Sequence, residues 1–360
     1  MKYPVSQPSL SSRERELLLE VFDSGWITGG PMTRRFEEAF EAALNVKHAV
    51  AVTSGTTALH LALVTAGVKP GDEVIVPDLT YAATAFAVSY IGARPVFVDI
   101  DRRTYCLDVR LTANAITART RAIVPVHLYG HACDMAEVMK VAKQHGLSVI
   151  EDAAEGFGGA LGFDCLGTIG DLGCFSFFGN KVLTTGEGGM VVTNDPEKAT
   201  RLRSLRSMAQ HPKARYYHTA VGFNYRMTDL QAAIGVGQLE RAEELIRKRR
   251  AVCDAYRERL CYDVFVPSGH PSEIFAPWLF TFELPPGASR SLFMSKLAEA
   301  GIETRTTFVP MHLHYNGGVP DAQQFPVSLY ASAQGVSLPT YPDLPLAAVD
   351  EICNEVLKWI

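Results

Sequence analysis

Between about residues 48 and 195, short runs rich in β-branched and apolar residues alternate with helical stretches, and few architectures tolerate that order. The runs are His48–Thr53, Glu73–Pro77, Pro95–Asp99, Ala122–His127, Ser148–Asp152, Cys174–Phe178 and Met190–Thr193. Most are near-continuously apolar, which suits strands covered by helices on both faces and not a sheet with one wet face. Helical patterns at Thr56–Ala66, Ala82–Ile91 and Met135–His145 lie between them. Strand–helix alternation at this spacing predicts an α/β fold built on a mostly parallel sheet. Ligands of such sheets sit beyond the carboxyl ends of the strands, so residues just after each strand are where chemistry is sought.

Downstream of Asn194-Asp195 the pattern changes. Thr228 to about Leu260 reads as one or two long helices opened by a Thr228…Gln231 capping box. The basic run Arg247-Lys248-Arg249-Arg250, beside Glu240, Glu243 and Glu244, reads as a solvated helix face. Pro- and Gly-containing segments at Pro267–Pro271 and Pro285–Gly287 then punctuate a smaller α+β region reaching Ile360. A chain of 360 residues suits two domains. The expected division is a large domain over residues 1–245 and a small C-terminal domain over 246–360. Lys plus Arg number 34 against 39 Asp plus Glu, a net charge of -5, which argues against nucleic-acid or membrane-surface partners. No stretch approaches the roughly 20 apolar residues that span a bilayer. Seven scattered cysteines without a CxxC pair argue against a disulfide framework or a zinc knuckle, so a cytoplasmic location is expected.

Three segments carry candidate chemistry. In Phe175–Gly189 a lysine, Lys181, follows an aromatic strand and precedes a polar, glycine-rich turn into the next strand. Most lysines are solvated, but a desolvated one has a lowered pKa and a nucleophilic amine that can condense with an aldehyde such as pyridoxal phosphate. In Val149–Glu155, Asp152 ends an apolar strand. It reads either as a helix N-cap or as the carboxylate that keeps a pyridine nitrogen protonated. In Thr53–Leu61 a strand ends, Gly55 permits close approach and hydroxyl residues open a helix, which is an ordinary capped helix or a phosphate site. Ser176 could add a hydroxyl to that phosphate, and Tyr81 could stack on a ring at the sheet edge or be a half-buried core tyrosine. His127, His131 and Cys133 invite a metal reading, but no second ligand set supports it and no metal is expected. Gly156-Phe157-Gly158-Gly159 is a near miss to a dinucleotide loop, the basis of a rival reading as an NAD-dependent oxidoreductase or epimerase.

Strand-end aspartate, downstream lysine and phosphate-type helix start together resemble the fold-type I pyridoxal-phosphate enzymes, and within them the DegT/DnrJ/EryC1/StrS sugar aminotransferases. The resemblance runs from Gly25–Gly30 through Ser54–Leu59, Glu151–Ala154 and Gly186–Gly189 to the Leu338-Pro339 region, nearly the whole chain. It implies a seven-stranded, mostly parallel sheet in the large domain, pyridoxal 5'-phosphate as cofactor and Lys181 as the linking lysine and proton carrier. Asp152 would pair with the pyridine nitrogen, Glu155 would approach the ring hydroxyl and Tyr81 would lie against the ring. Gly55, Thr56, Thr57 and Ser176 would hold the phosphate. Asn224 would reach the phosphate of a neighbouring subunit, implying a homodimer with shared sites. Trp26, Thr28, Gly29 and His312 would line the sugar pocket. Three stretches, Pro125–His131, Ser176–Lys181 and Gly222–Met227, resemble the branch that makes GDP-perosamine. That branch moves an amino group from L-glutamate to the C4 ketone of GDP-4-keto-6-deoxymannose, and relatives act on UDP- or dTDP-linked keto sugars. A relative that replaces the lysine by histidine performs dehydration, so the lysine here favours amino transfer.

Overall fold

The computed structural model describes residues 1–315 and 321–360. Its centre is a seven-stranded sheet made of β1 (His48–Val52), β2 (Glu73–Pro77), β3 (Arg94–Val98), β4 (Thr120–Ile123), β5 (Ser148–Asp152), β6 (Leu172–Ser176) and β7 (Gly189–Thr193). The spatial order is β1-β7-β6-β5-β4-β2-β3. All neighbouring pairs are parallel except the two made by β7, which runs against both β1 and β6. The seven runs expected from sequence are therefore the seven strands. The β4 ladder closes at Ile123, short of His127, because Pro125 has no N–H to donate. Pairing nevertheless continues irregularly: Asp152 donates its N–H to the Pro125 carbonyl at 2.9 Å, and His127 donates to the Asp152 carbonyl at 3.0 Å.

Two helices precede the sheet, Ser12–Ser24 and Pro31–Leu44. The first opens on a Ser11…Glu14 capping box and the second on Pro31 at its first position, both local start signals. Phe40 of the second packs edge-on to Phe175 and Phe177, and Phe36 packs at a tilt on Phe177, from 5.1 to 5.6 Å between ring centres, covering one side of the end of β6.

The Thr228 capping box forms as the spacing predicts, and the long helical stretch divides at Arg241 into Asp229–Glu240 and Ala242–Leu260. The second helix serves two cores. Leu245 belongs with Phe36, Phe40 and Phe175, whereas Val252, Cys253, Tyr256 and Leu260 pack with the C-terminal strands. Those strands, Phe280–Glu283, Gly335–Leu338 and Arg305–Thr306, form a three-stranded antiparallel sheet with Gly335–Leu338 central. The basic run on this helix is not wholly a solvated face. Arg247 is exposed but Arg249 is only 2% exposed, turned into the seam between the two cores.

Candidate functional site

The carboxyl ends of β1, β5 and β6 open into a cavity of about 460 Å³. Gly55, Thr56, Tyr81, Asp152, Glu155, Ser176 and Lys181 line it, as do Trp278, Arg305 and Phe308 from the C-terminal region.

One end of the cavity is a helix start. Ser54 caps the helix Gly55–Thr65, accepting the Thr57 N–H on its hydroxyl at 3.2 Å. Thr57 returns the bond by accepting the Ser54 N–H on its own hydroxyl at 3.0 Å and donating that hydroxyl to the Ser54 carbonyl at 2.9 Å. Thr57 is thus engaged in the cap and is not among the residues that line the cavity. The open first-turn donors are the N–H groups of Gly55 and Thr56. A Cβ on Gly55 would fall 2.8 Å from Ser176 Cβ, so the absent side chain is what lets Ser176 stand beside those amides.

The other end carries buried charge. Lys181 Nζ donates to Glu155 Oε1 at 3.1 Å and sits 3.9 Å from the centre of the Trp278 ring. Glu155 accepts the Tyr129 N–H on its second oxygen at 2.9 Å. Asp152 accepts the Thr84 hydroxyl at 2.8 Å on one oxygen and the Ala154 N–H at 3.1 Å on the other. Burial pushes both Asp152 and Glu155 above the usual carboxyl range, and the Lys181 charge pulls each back only in part. Asp152 is therefore a buried carboxyl at a cavity wall with room for a cation beside it. Trp278, Tyr129 and Phe308 stack nearly parallel to form an aromatic wall, with Tyr129 against Trp278 at 5.9 Å and 9°. Tyr81 leans on Phe308 at 5.8 Å.

Several expected residues lie elsewhere. His312 is 1% exposed. Its Nδ1 meets Asp78 at 2.7 Å, its Nε2 accepts the Asp321 N–H at 3.3 Å and its ring stacks on Phe325. Both ring nitrogens are engaged, and His312 is not among the residues that line this cavity. Trp26, Thr28 and Gly29 are exposed and away from the cavity, as is Asn224. His127 and His131 separate, the first onto Glu151 and the second onto Glu273. In the glycine run, a Cβ on Gly156 would crowd His127 and one on Gly158 would strike Ile246, so these glycines serve close packing and not a dinucleotide loop. Thr84, Tyr129, Trp278, Arg305 and Phe308 were not singled out from sequence. Thr84 and Tyr129 lie within stretches that were, Ala82–Ile91 and Pro125–His131, but the C-terminal three reach the site only through the tertiary fold.

The residues fit pyridoxal 5'-phosphate: open helix-start amides with a serine hydroxyl for the phosphate, an amine for the aldehyde, and a buried carboxyl for the ring nitrogen. The family model for the DegT/DnrJ/EryC1/StrS aminotransferases matches residues 8–357. The chain belongs to that family. Among its curated relatives, the GDP-perosamine synthase of Caulobacter vibrioides is 44% identical over 354 residues, covering 97% of this chain and 95% of the relative. The crystal structure of S. venezuelae DesV is 37% identical and superposes with a TM-score of 0.91, covering 97% of this chain and 94% of that one. The PLP form of the putative sugar aminotransferase Spr1654 from Streptococcus pneumoniae superposes at 0.94 with 28% identity, each chain covered in full at 100%. As a DegT/DnrJ/EryC1/StrS enzyme, the protein is a pyridoxal-phosphate-dependent sugar aminotransferase. The NAD-dependent rival is thereby excluded.

Proposed function

We propose that the enzyme moves the amino group of L-glutamate to the C4 ketone of GDP-4-keto-6-deoxymannose, making GDP-perosamine. The observation that carries the chemistry is the meeting of Lys181, Asp152 and the Gly55–Thr56 helix start in one cavity. The full-length likeness to a GDP-perosamine synthase supports the substrate. Pyridoxal phosphate, when bound, supplies an aldehyde for the amine and a protonated ring that draws electrons from the reacting carbon. Around it, the Gly55 and Thr56 amides and the Ser176 hydroxyl would hold the phosphate, and Tyr81 would lie against the ring. Asp152, held by Thr84, would keep the ring nitrogen protonated. Glu155 takes the ring hydroxyl side, and its contact with Lys181 supports that place. Lys181 Nζ would hold the aldehyde and would serve as the base that carries the transferred proton.

Asn224 and the Trp26–Gly29 loop lie exposed and off this chain's own cavity, which supports their serving a neighbouring copy in a homodimer. We also assign residues 1–245 to the cofactor-binding domain and 246–360 to the small domain, a division supported by the cluster of Val252, Tyr256, Phe280, Phe282 and Val336 around the C-terminal strands. No helix among the described residues is long and apolar enough to cross a membrane. A cytoplasmic supply of an amino sugar for O-antigen lipopolysaccharide is the proposed setting.

Spectroscopy and turnover test the reading together. The purified protein is expected to be yellow, with a visible band that glutamate abolishes. Lys181→Ala should retain cofactor without that band and lose roughly 10³-fold or more in turnover. A colourless wild type that cannot be reconstituted would defeat the chemistry. Faster turnover of a UDP- or dTDP-linked 4-keto sugar than of the GDP sugar would move the substrate to that nucleotide.

A further inference from the structure

The amine of Lys181 has two direct neighbours, but its backbone has a third support that lies outside the cavity. Arg249, midway along the helix Ala242–Leu260, is 2% exposed and makes no ion pair among the described residues. Its guanidinium instead donates to three backbone carbonyls: Trp278 at 2.6 Å, Thr340 at 3.2 Å and Lys181 at 3.2 Å. Burial pushes its pKa down to about 10. A buried cation without a counter-ion is costly, and an aliphatic side chain would fill the same space at less cost. What an aliphatic group cannot do is bind three separate chain segments at once, and the planar fork of arginine can.

Two of those three segments determine where the Lys181 amine stands. The Lys181 N–H is already bonded to the Phe178 carbonyl at 2.9 Å, so Arg249 completes the hold on the lysine's backbone. The Trp278 ring lies over Nζ, and its own Nε1–H donates to the Asn180 carbonyl at 2.8 Å. Arg249 holds the carbonyl of that same tryptophan. The third segment, at Thr340, closes the edge of the C-terminal sheet, where its hydroxyl accepts the Phe280 N–H at 3.0 Å.

We propose that Arg249 is a positioning residue for Lys181, fixing the lysine's backbone against the tryptophan that covers its amine. This rests on Lys181 being the cofactor-linking lysine. A shift of the lysine backbone by a fraction of an ångström would take the amine off the line of approach to the aldehyde, and small displacements of this kind cost large factors in rate.

The test uses the full chain, stripped of cofactor, as wild type, Arg249→Lys and Arg249→Gln. Each is mixed with pyridoxal 5'-phosphate, quenched with borohydride at intervals, and the fraction of Lys181 captured is read by peptide mass spectrometry. The pH midpoint of the visible band of each loaded protein and its thermal midpoint are recorded alongside. Capture is expected to slow by roughly 10–100-fold in Arg249→Gln, with Arg249→Lys between it and wild type. The band's pH midpoint should move in both folded variants, which a merely structural role would not cause. Capture within about twofold of wild type in folded Arg249→Gln, with an unmoved midpoint, overturns the proposal whatever the thermal midpoint does. Failure of both variants to fold overturns it as well, by making the guanidinium a requirement of the fold. A wild type that captures no cofactor would instead sink the reading of Lys181.

Discussion

Glu151 and Asp152 are neighbours at the end of one strand, yet the two faces of the sheet treat their carboxyls in opposite ways. Alternation along the strand sends Glu151 to one face, where it is fully buried. There it meets His127 Nε2 at 2.9 Å and accepts the N–H groups of Gly167, Ile169 and Gly170 at 2.6–2.9 Å. The Cys133 N–H points at His127 Nδ1, which assigns the ring proton to Nε2 and makes the histidine a donor to Glu151. Asp152 faces the cavity with only a threonine hydroxyl and one N–H. Glu151 has the donors a buried carboxylate needs, and Asp152 does not. A saturated carboxylate fastens a loop. An undersupplied one beside a cavity is ready for a cation, and its raised pKa is the same fact in electrostatic terms.

The largest effect expected from breaking this contrast is on catalysis. Asp152→Asn should lower turnover by roughly 10³-fold while the protein stays folded, because an amide cannot hold a ring-nitrogen proton. The same variant gives a pH signature. Burial holds Asp152 above its unfolded value, so the folded, unloaded chain keeps a proton that the unfolded chain releases. Its contribution to stability is therefore present below about pH 4 and is lost as pH rises through the folded value. Asparagine has no proton to lose, so its thermal midpoint should gain on wild type along that climb. A difference that stays flat from acid to neutral pH would contradict the electrostatic account.

Glu151→Gln should do the reverse. It leaves backbone donors facing an amide and should cost about 2–4 kcal/mol in denaturant unfolding, with turnover per folded molecule little changed. A selective loss of turnover at unchanged stability would place Glu151 in the catalytic machinery and erase the contrast. The smallest effect belongs to Thr84→Val, which removes the hydroxyl at 2.8 Å from Asp152 without changing shape. About 1 kcal/mol of stability and a several-fold drop in turnover are expected.

Some of this site is written locally. Lys181, Asp152, Gly55 and Ser176 follow from reading what stands after each apolar run, since strand ends dictate where their side chains emerge. Thr57 and His312 show what such reading leaves open. Whether a hydroxyl faces a ligand or closes its own helix cap depends on its bonds, and both outcomes share one sequence pattern. For His312 the deciding partner, Asp78, lies far away in the chain. The basic run at Arg247–Arg250 misled for a related reason: charge pattern alone does not reveal which member turns inward.

Hydrophobic periodicity and turn residues, being short-range, determined the seven strands, the helix caps and the order in which the chemical groups follow the sheet edge. Long-range closure decided the rest. Only when the C-terminal strands pack beside the sheet do Trp278, Phe308 and Arg305 wall the cavity. Only then does Arg249 find three carbonyls in place of water. Contacts between segments so distant in the chain depend on the whole core being assembled, and no local stretch of residues encodes them.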